Sequence, residues 1–282
     1  MKTKSIIANL HTHTVFCDGK ASAEEMVQAA MQEQLLVLGF SAHSMYPFSS
    51  DWHLEVRAHE SYCAEIRRLQ LAYADKIRIL LGFEADYVPG LCIPRFDCYE
   101  RFAPDYLIGS VHYIGNEKGI FTVDNTAEEL VSGIRRCYND NVKEAVCDYF
   151  AREREMLNRG DFTILGHPDL MRKLNVKLHL FDETDSWYRR AVDETAQAIA
   201  KAGVIAEINT GGMVRAGVPT PYPSSYFLSK LHELNVPITI SSDAHSPEYI
   251  VAQFDVARQY AKAAGYTEYA VPLAGTVTFY SL

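Results

Sequence analysis

No apolar run in this chain of 282 residues approaches the roughly 20 residues needed to cross a bilayer. The opening is not expected to be a secretory signal either. The opening MKTKSIIANLH carries two lysines and then about six mostly apolar residues, too few for a signal-peptide core. A cytoplasmic protein with no membrane partner is the expectation. Positive charge is scarce as well: Lys and Arg total 27 against 36 Asp and Glu, a formal charge of −9. The basic residues sit among acids, as in Arg152-Glu153-Arg154-Glu155. Nucleic acid is therefore not an expected partner, because phosphate backbones are gripped by a basic face or stripe. The six cysteines (Cys17, Cys63, Cys92, Cys98, Cys137 and Cys147) contain no C-x-x-C pair. They read as reduced thiols filling apolar space, with Cys17 set apart by its neighbour Asp18. Composition breaks, low-complexity stretches and internal repeats are absent too, so one domain over residues 1–282 is expected.

What the chain does have is alternation. Short apolar runs stand at Ser5–Leu10, Leu36–Ser41, Ile77–Gly82, Tyr106–Ser110, Phe162–Leu165, Val204–Ile208 and Pro237–Ser241. They lack polar alternation, the mark of strands buried on both faces of a parallel sheet. Helix signals lie between them. Ser22-Ala23-Glu24-Glu25 and Thr126-Ala127-Glu128-Glu129 are capping boxes. Ser246-Pro247 puts a capping hydroxyl before a proline at a first helical position. Longer helices are expected over Leu54–Ala74, Val142–Asn158, Ser186–Ala202 and Ser224–Leu234. The alternation predicts an α/β fold, either an open sheet or a closed barrel. Gly275–Tyr280 is a further strand or a docked tail.

The residues that follow each run decide between the two. They are His11, His13 and Asp18; then His43; then Glu84; then His112; then His167; then Glu207-Ile208-Asn209; then Asp243 and His245. Six of the ten histidines fall at these ends. His11 and His13 flank one residue, so on an extended chain both imidazoles aim at the same spot. An open sheet would spread the set along a line, whereas a barrel opens all its strand C-termini onto one face. Clustered imidazoles and carboxylates without a cation would be expensive in desolvation and repulsion. Nine ligating side chains exceed the needs of one ion, so two or three ions are expected, with Glu84 as the bridge. Mixed nitrogen and oxygen donors suit zinc, iron or manganese. His53, His59, His179 and His232 receive structural roles.

In this order, H-x-H with a downstream Asp, Ser-Ala-His, Gly-Phe-Glu, Ser-Val-His, Gly-His-Pro-Asp and Ser-Asp-Ala-His resemble the motifs of the PHP (polymerase and histidinol phosphatase) superfamily. The resemblance runs from His11 to His245 and is nearest to its histidinol-phosphatase branch. It implies a distorted (β/α)7 TIM-like barrel holding three metals. The first ion would take His11, His13, Glu84 and Asp243; the second Glu84, His112 and His167; the third Asp18, His43 and His245. Some members carry histidine where this chain has Asp18, which bears on metal preference at the third position.

The implied activity is phosphomonoester hydrolysis by a metal-bound hydroxide, with Glu84, Asp243 and His245 at the reaction centre. Three divalent ions against three carboxylates leave the site roughly three charges positive, suited to a phosphate dianion. Arg172 and Arg215, on the loops after the fifth and sixth strands, are the expected phosphate contacts. Asp86 and Asp169 are candidates to orient ligands, and the aromatic stretch 44–53 is a candidate lid. The resemblance implies L-histidinol phosphate as substrate, with another small phosphate ester such as a nucleotide or sugar phosphate as the alternative. A non-catalytic metal module would have lost ligands, and none is lost. An acidic group, Asp51 or Asp86, is expected to meet the substrate's imidazole and amine.

Overall fold

The computed structural model describes residues 7–273 and 275–282. Eleven strands are present among them: β1 (Ala8–Asn9), β2 (Val37–Ser44), β3 (Arg78–Asp86), β4 (Tyr106–Ser110), β5 (Tyr113–Asn116), β6 (Gly119–Thr122), β7 (Ile164–Leu165), β8 (Ile205–Asn209), β9 (Ile238–Ser241), β10 (Glu268–Leu273) and β11 (Thr276–Ser281). Seven form one parallel sheet in the order β1-β2-β3-β4-β7-β8-β9. The sheet curls until its edges meet beyond the ends of β1 and β9. There Thr12 bridges Ala244 in parallel: His13 N donates to Ala244 O (2.8 Å) and Ala244 N to His11 O (3.2 Å). The side chain of Asn9 bonds Ser242 Oγ at 2.8 Å across the same seam. The result is a nearly closed barrel of seven parallel strands.

Two glycines let the interior fill. Tyr106 projects inward and lies over Gly39 and Gly82, where an added Cβ would stand 2.4 and 2.5 Å from the phenol. Its hydroxyl reaches the carbonyl of Leu10 at 2.5 Å, tying β4 to β1 through the barrel. Strand faces on both sides are apolar and buried, for example Leu38, Phe40, Leu81, Phe83, Leu107 and Ile108. They face one contiguous core shared with the surrounding helices.

Those helices are α1 (Ala23–Gln32), α2 (His59–Ala72), α3 (Ala127–Tyr138), α4 (Val142–Arg159), α5 (Arg172–Leu178), α6 (Ser186–Ala202), α7 (Gly211–Arg215), α8 (Ser225–Glu233) and α9 (Phe254–Ala263). The first opens with the full reciprocal box between Ser22 and Glu25. In α3 only half of the device forms. Thr126 accepts from Glu129 N, but the Glu129 carboxylate turns instead to Thr122 N and Asn125, one donor from the preceding hairpin and one from the loop that follows it. The helix expected at Ser246-Pro247 is a single 3-10 turn, Pro247–Tyr249, without a side-chain cap; α9 starts seven residues later, after Gln253 in a left-handed conformation. The stretch from Leu54 divides into a 3-10 turn, Val56–Ala58, and α2. Residues 5 and 6 of the first expected strand lie outside the described residues. The C-terminal segment is a strand: β11 pairs antiparallel with β10, apart from the barrel sheet.

Candidate metal centre

Two barrel strands run further than the apolar pattern suggests. β2 continues to Ser44 and β3 to Asp86, so His43 and Glu84 lie within strands and are direct partners in register. Polar side chains end an apolar run in the sequence but need not end a ladder, whose hydrogen bonds are made by the main chain. His11 and His13 stand on either side of the seam residue Thr12. His112 follows β4 by two residues, and His167 follows β7 by two. The seam residue Ala244 is flanked by Asp243 and His245.

These nine side chains converge, with Glu84 at the centre. Its Oε2 lies 3.0 Å from His11 Nε2, 2.8 Å from His43 Nδ1 and 3.6 Å from His13 Nε2. Its Oε1 lies 2.8 Å from His167 Nε2 and 3.4 Å from His112 Nε2. Asp243 Oδ1 is 3.2 Å from His13 Nε2 and 3.5 Å from His245 Nδ1. Asp18 reaches His245 Nε2 at 3.0 Å and His43 Nε2 at 3.6 Å. Four overlapping groups have the spacing of a metal shell: His13, Asp18, His43 and His245; His11, His13 and Asp243; His11, Glu84 and His167; His43, Glu84 and His112. Cys17 Sγ stands 3.6 Å from His13 Nδ1.

Whether these donors suit cations is answered by their hydrogen bonding. His11 Nε2, His13 Nε2, His43 Nδ1, Glu84 Oε2 and His167 Nδ1 are buried yet make no well-formed hydrogen bond. Buried polar atoms are normally paired, and here four of the five crowd round one point. The donor set, imidazole nitrogen with carboxylate oxygen, fits zinc, iron or manganese.

Electrostatics agree with this. Burial alone would raise the Glu84 pKa, but His11, His43 and His112 hold it well below the usual carboxylate range. Burial opposes charge on His11, yet Glu207, Glu84 and Asp243 lift its pKa well above normal. His112 is pushed up to about 10 by Asp86 and Glu84 against the same opposition. His11 and His112 thus hold protons tightly where cations would neutralise the acids, while burial and the neighbouring His245 and His43 keep His13 neutral. Backbone strain accumulates here also: His167 and Asp243 have φ of +24° and +51°, a conformation that is costly outside glycine and concentrated at functional sites.

Two buried carboxylates hold candidate ligands from behind. Asp86 Oδ1 is 2.8 Å from His112 Nδ1, and its Oδ2 is 2.5 Å from His53 Nε2. Glu207 Oε1 is 2.7 Å from His11 Nδ1, while its Oε2 accepts from His167 N (2.9 Å) and Asn209 Nδ2 (2.9 Å). Such partners fix the tautomer and ring angle of a ligating histidine. Glu207 stands at the sixth strand's end in the sequence but receives no role there, because it sits inside the apolar run Val204–Ile208; an acid in a strand buried on both faces is the signal that marks it. His53 contributes through Asp86 rather than through packing alone.

Of the other expected residues, Arg215 reaches the site. It forks Asp243, with Nη2 2.6 Å from Oδ2 and Nη1 3.0 Å from Oδ1. Arg172 does not reach it. Its guanidinium is buried against Glu183 (2.9 Å), Thr220 Oγ1 (3.1 Å) and the Pro221 carbonyl. Adjacent helical residues point about 100° apart, and it is the next residue, Lys173, that turns into the cavity. Asp169 accepts from Ser224 N and orients no imidazole among the described residues. In the stretch 44–53 only Trp52 lines the cavity; Tyr46 packs on His59 and Phe102. Asp51 is exposed at the surface. The cavity over the cluster measures about 370 Å³, and its wall includes Trp52, Asp124, Asn125, Lys173 and Arg215 besides six of the converging side chains.

The sequence pattern of the PHP domain family matches residues 9–211, which carry seven of the nine converging side chains. The chain belongs to the PHP domain family. Among curated PHP relatives, the probable histidinol-phosphatase of Deinococcus radiodurans is 29% identical over 251 residues, 88% of this chain and 90% of its own. That of Schizosaccharomyces pombe is 25% identical over 273 residues, covering 91% and 86%. Among solved structures, the putative histidinol phosphatase of Listeria monocytogenes superposes with a TM-score of 0.78 at 20% identity, over 88% of this chain and 99% of that one. The histidinol phosphate phosphatase of Lactococcus lactis, solved with zinc, L-histidinol and phosphate, gives 0.71 at 22% identity over 96% and 98%. Both share the barrel architecture.

Proposed function

We propose that this PHP chain is a metal-dependent histidinol-phosphatase, hydrolysing L-histidinol phosphate to L-histidinol and phosphate in the cytoplasm. The observation that carries the reading is the convergence of nine imidazole and carboxylate side chains, centred on Glu84, beneath a small cavity with two cations on its wall. The near full-length likeness to two probable histidinol-phosphatases supports the choice of substrate. His11, His13, Glu84 and Asp243 would hold one ion, Glu84, His112 and His167 a second, and Asp18, His43 and His245 a third. Bound divalent ions supply a hydroxide nucleophile near neutral pH and neutralise charge growing on a phosphoryl group.

The chain's own residues do the positioning. Glu84 would serve two of the ion positions, since its two oxygens face histidines assigned to each. Asp243, held by the Arg215 fork, keeps one carboxylate face toward the seam ligands. His245 closes the exposed side against Asp18. Arg215 and Lys173 bring fixed positive charge to the wall, where a phosphate dianion meets charge-assisted donors. A cavity of about 370 Å³ suits a small phosphate monoester.

Metal-loaded protein is expected to release phosphate from L-histidinol phosphate with kcat/KM far above that for nucleotide and sugar phosphates. Equal values across the three classes would overturn the choice of substrate. No turnover of any of them with zinc, iron or manganese would overturn the hydrolase reading itself.

A further inference from the structure

A histidinol phosphate molecule has a cationic amine two carbons from its phosphate ester oxygen, and the residue that reads this amine should be an acid within the same cavity. Three carboxylates line that cavity: Asp18, Asp124 and Asp243. Asp18 is engaged with His245 and His43, and Asp243 is forked by Arg215 and faces three imidazoles. Asp124 differs. Its ion-pair partner among the described residues is Lys173, with Nζ 2.7 Å from Oδ2, and both side chains are partly open, at 17% and 18%. The two residues expected from sequence to meet the amine are placed elsewhere. Asp51 does not line the cavity, and Asp86 is buried behind His112.

The fold fixes Asp124 firmly. The hairpin of β5 and β6 starts one residue after His112, and its register pairs Tyr113 with Thr122. The next rung places Val123 opposite the metal-ligand candidate: Val123 N donates to His112 O at 2.9 Å. Val123 is wholly buried, and Asn125 is anchored to Glu129 at 3.0 Å. Asp124 lies between these anchors, on the cavity rim. Lys173 comes from a different element, the first turn of α5. The rim thus carries an anion and a cation side by side, the complement of a substrate that carries an ammonium beside a phosphate.

We propose that Asp124 is the specificity residue that binds the substrate's ammonium group, while its partner Lys173 turns to the phosphate. Substrate binding exchanges one ion pair for two: Asp124 leaves Lys173 for the ammonium, and Lys173 gains a phosphoryl oxygen. The inference rests on the histidinol-phosphatase reading and adds the residue that reads the amine. A purely structural Asp124–Lys173 pair would act on every phosphate ester alike, which gives the test its readout.

The experiment compares wild type, Asp124→Asn and Lys173→Met on three compounds: L-histidinol phosphate, its deamino analogue 3-(imidazol-4-yl)propyl phosphate, and p-nitrophenyl phosphate. Asp124→Asn is expected to lower kcat/KM for L-histidinol phosphate roughly 10- to 100-fold, chiefly through KM, the range that a charge-assisted hydrogen bond supplies. The deamino analogue and p-nitrophenyl phosphate should change less than about threefold, since neither offers the charged donor. Lys173→Met should raise KM for all three together and preserve the wild-type preference for the amine. An equal loss on all three compounds in Asp124→Asn, or no loss on any, overturns the assignment. A wild-type enzyme that does not prefer L-histidinol phosphate over p-nitrophenyl phosphate overturns the functional reading instead, and the amine assignment with it. Thermal unfolding and metal content of each variant guard against misfolding; should Asp124→Asn lose its metals, Asp124→Glu, which keeps the charge and moves it by one methylene, should show the same selective loss.

Discussion

The metal centre has an inner and an outer half, and they are built differently. On the inner side, His11, Glu84, His112 and His167 are almost wholly buried, and the far nitrogens of His11 and His112 rest on the buried carboxylates Glu207 and Asp86. On the outer side, the Asp18 side chain is 33% exposed and His245 14%. There His245 Nδ1 leans on the Asp243 main-chain carbonyl at 3.0 Å and on Arg215, and the nearest carboxylate oxygen among the described residues, Asp243 Oδ1, stands off at 3.5 Å. A ligand locked from behind loses little freedom when it binds an ion, whereas an exposed one must be ordered at that moment. The inner positions should therefore hold ions tightly, and the outer position should exchange first.

The comparison breaks most visibly at Glu84, whose two oxygens face five of the six clustered histidines. Glu84→Ala should lower kcat at least about 1,000-fold, because metal-assisted charge stabilisation is worth several kcal/mol. Elemental analysis should find at least two ions lost together. Asp18→Asn, on the outer side, should remove one ion and leave the other two. If both variants lost the same number of ions, the division into halves would not stand.

A smaller effect follows from protons. In the metal-free protein, acids raise the pKa of His11, His43 and His112 against the effect of burial, His112 to about 10. Groups with raised pKa stabilise the metal-free fold fully below the unfolded value near 6.5, and that contribution fades as pH rises toward the folded value. Metal must displace these protons, so metal binding strengthens with pH over the same window. Between pH 6 and 8 the stabilisation gained on adding zinc should grow by about 1.4 kcal/mol per pH unit for each proton displaced. Thermal unfolding with and without zinc measures it. A gain independent of pH would mean that the inner imidazoles are neutral before the metal arrives.

Much of this was legible from residue order. Seven apolar runs gave seven parallel strands, and the imidazoles and acids at their ends meet at one rim because strand C-termini of a barrel open onto one face. The hairpin β10–β11 was half hidden: Pro272 interrupts an otherwise strand-like segment, and proline is tolerated only where a strand has a free edge. Hairpin β5–β6 left no clear pattern in its two four-residue strands. Ser246 failed as a cap because the chain there is held at the barrel seam, with Lys20 N bonded to His245 O. Glu207 is masked by its strand, and Asp124, the proposed amine contact, by a loop whose register only the fold reveals.

The choice between Arg172 and Lys173 lay beyond what sequence spacing can resolve, since one residue's step round a helix separates a core contact from a cavity contact. The structure makes the contrast testable with the smallest expected change in turnover. Arg172 is 6% exposed and compensates Glu183 and Asp169, at 2.9 and 3.7 Å. The latter is itself a strained acid, its pKa pushed up to about 6 by burial against the pull of Arg172. Removing the guanidinium leaves buried acid uncompensated, and breaking a buried pair from one side destabilises by about 3–5 kcal/mol. The half-exposed state of Glu183 (36%) places Arg172→Ala toward the lower end. Folded Arg172→Ala, assayed below its unfolding transition, should nonetheless turn over substrate within about twofold of wild type, because surface and core contacts away from the reacting atoms act on stability rather than on the transition state. A large fall in kcat/KM at unchanged metal content would show that the guanidinium leaves its buried partners to meet the phosphate, and the assignment of that contact to Lys173 would have to be given up.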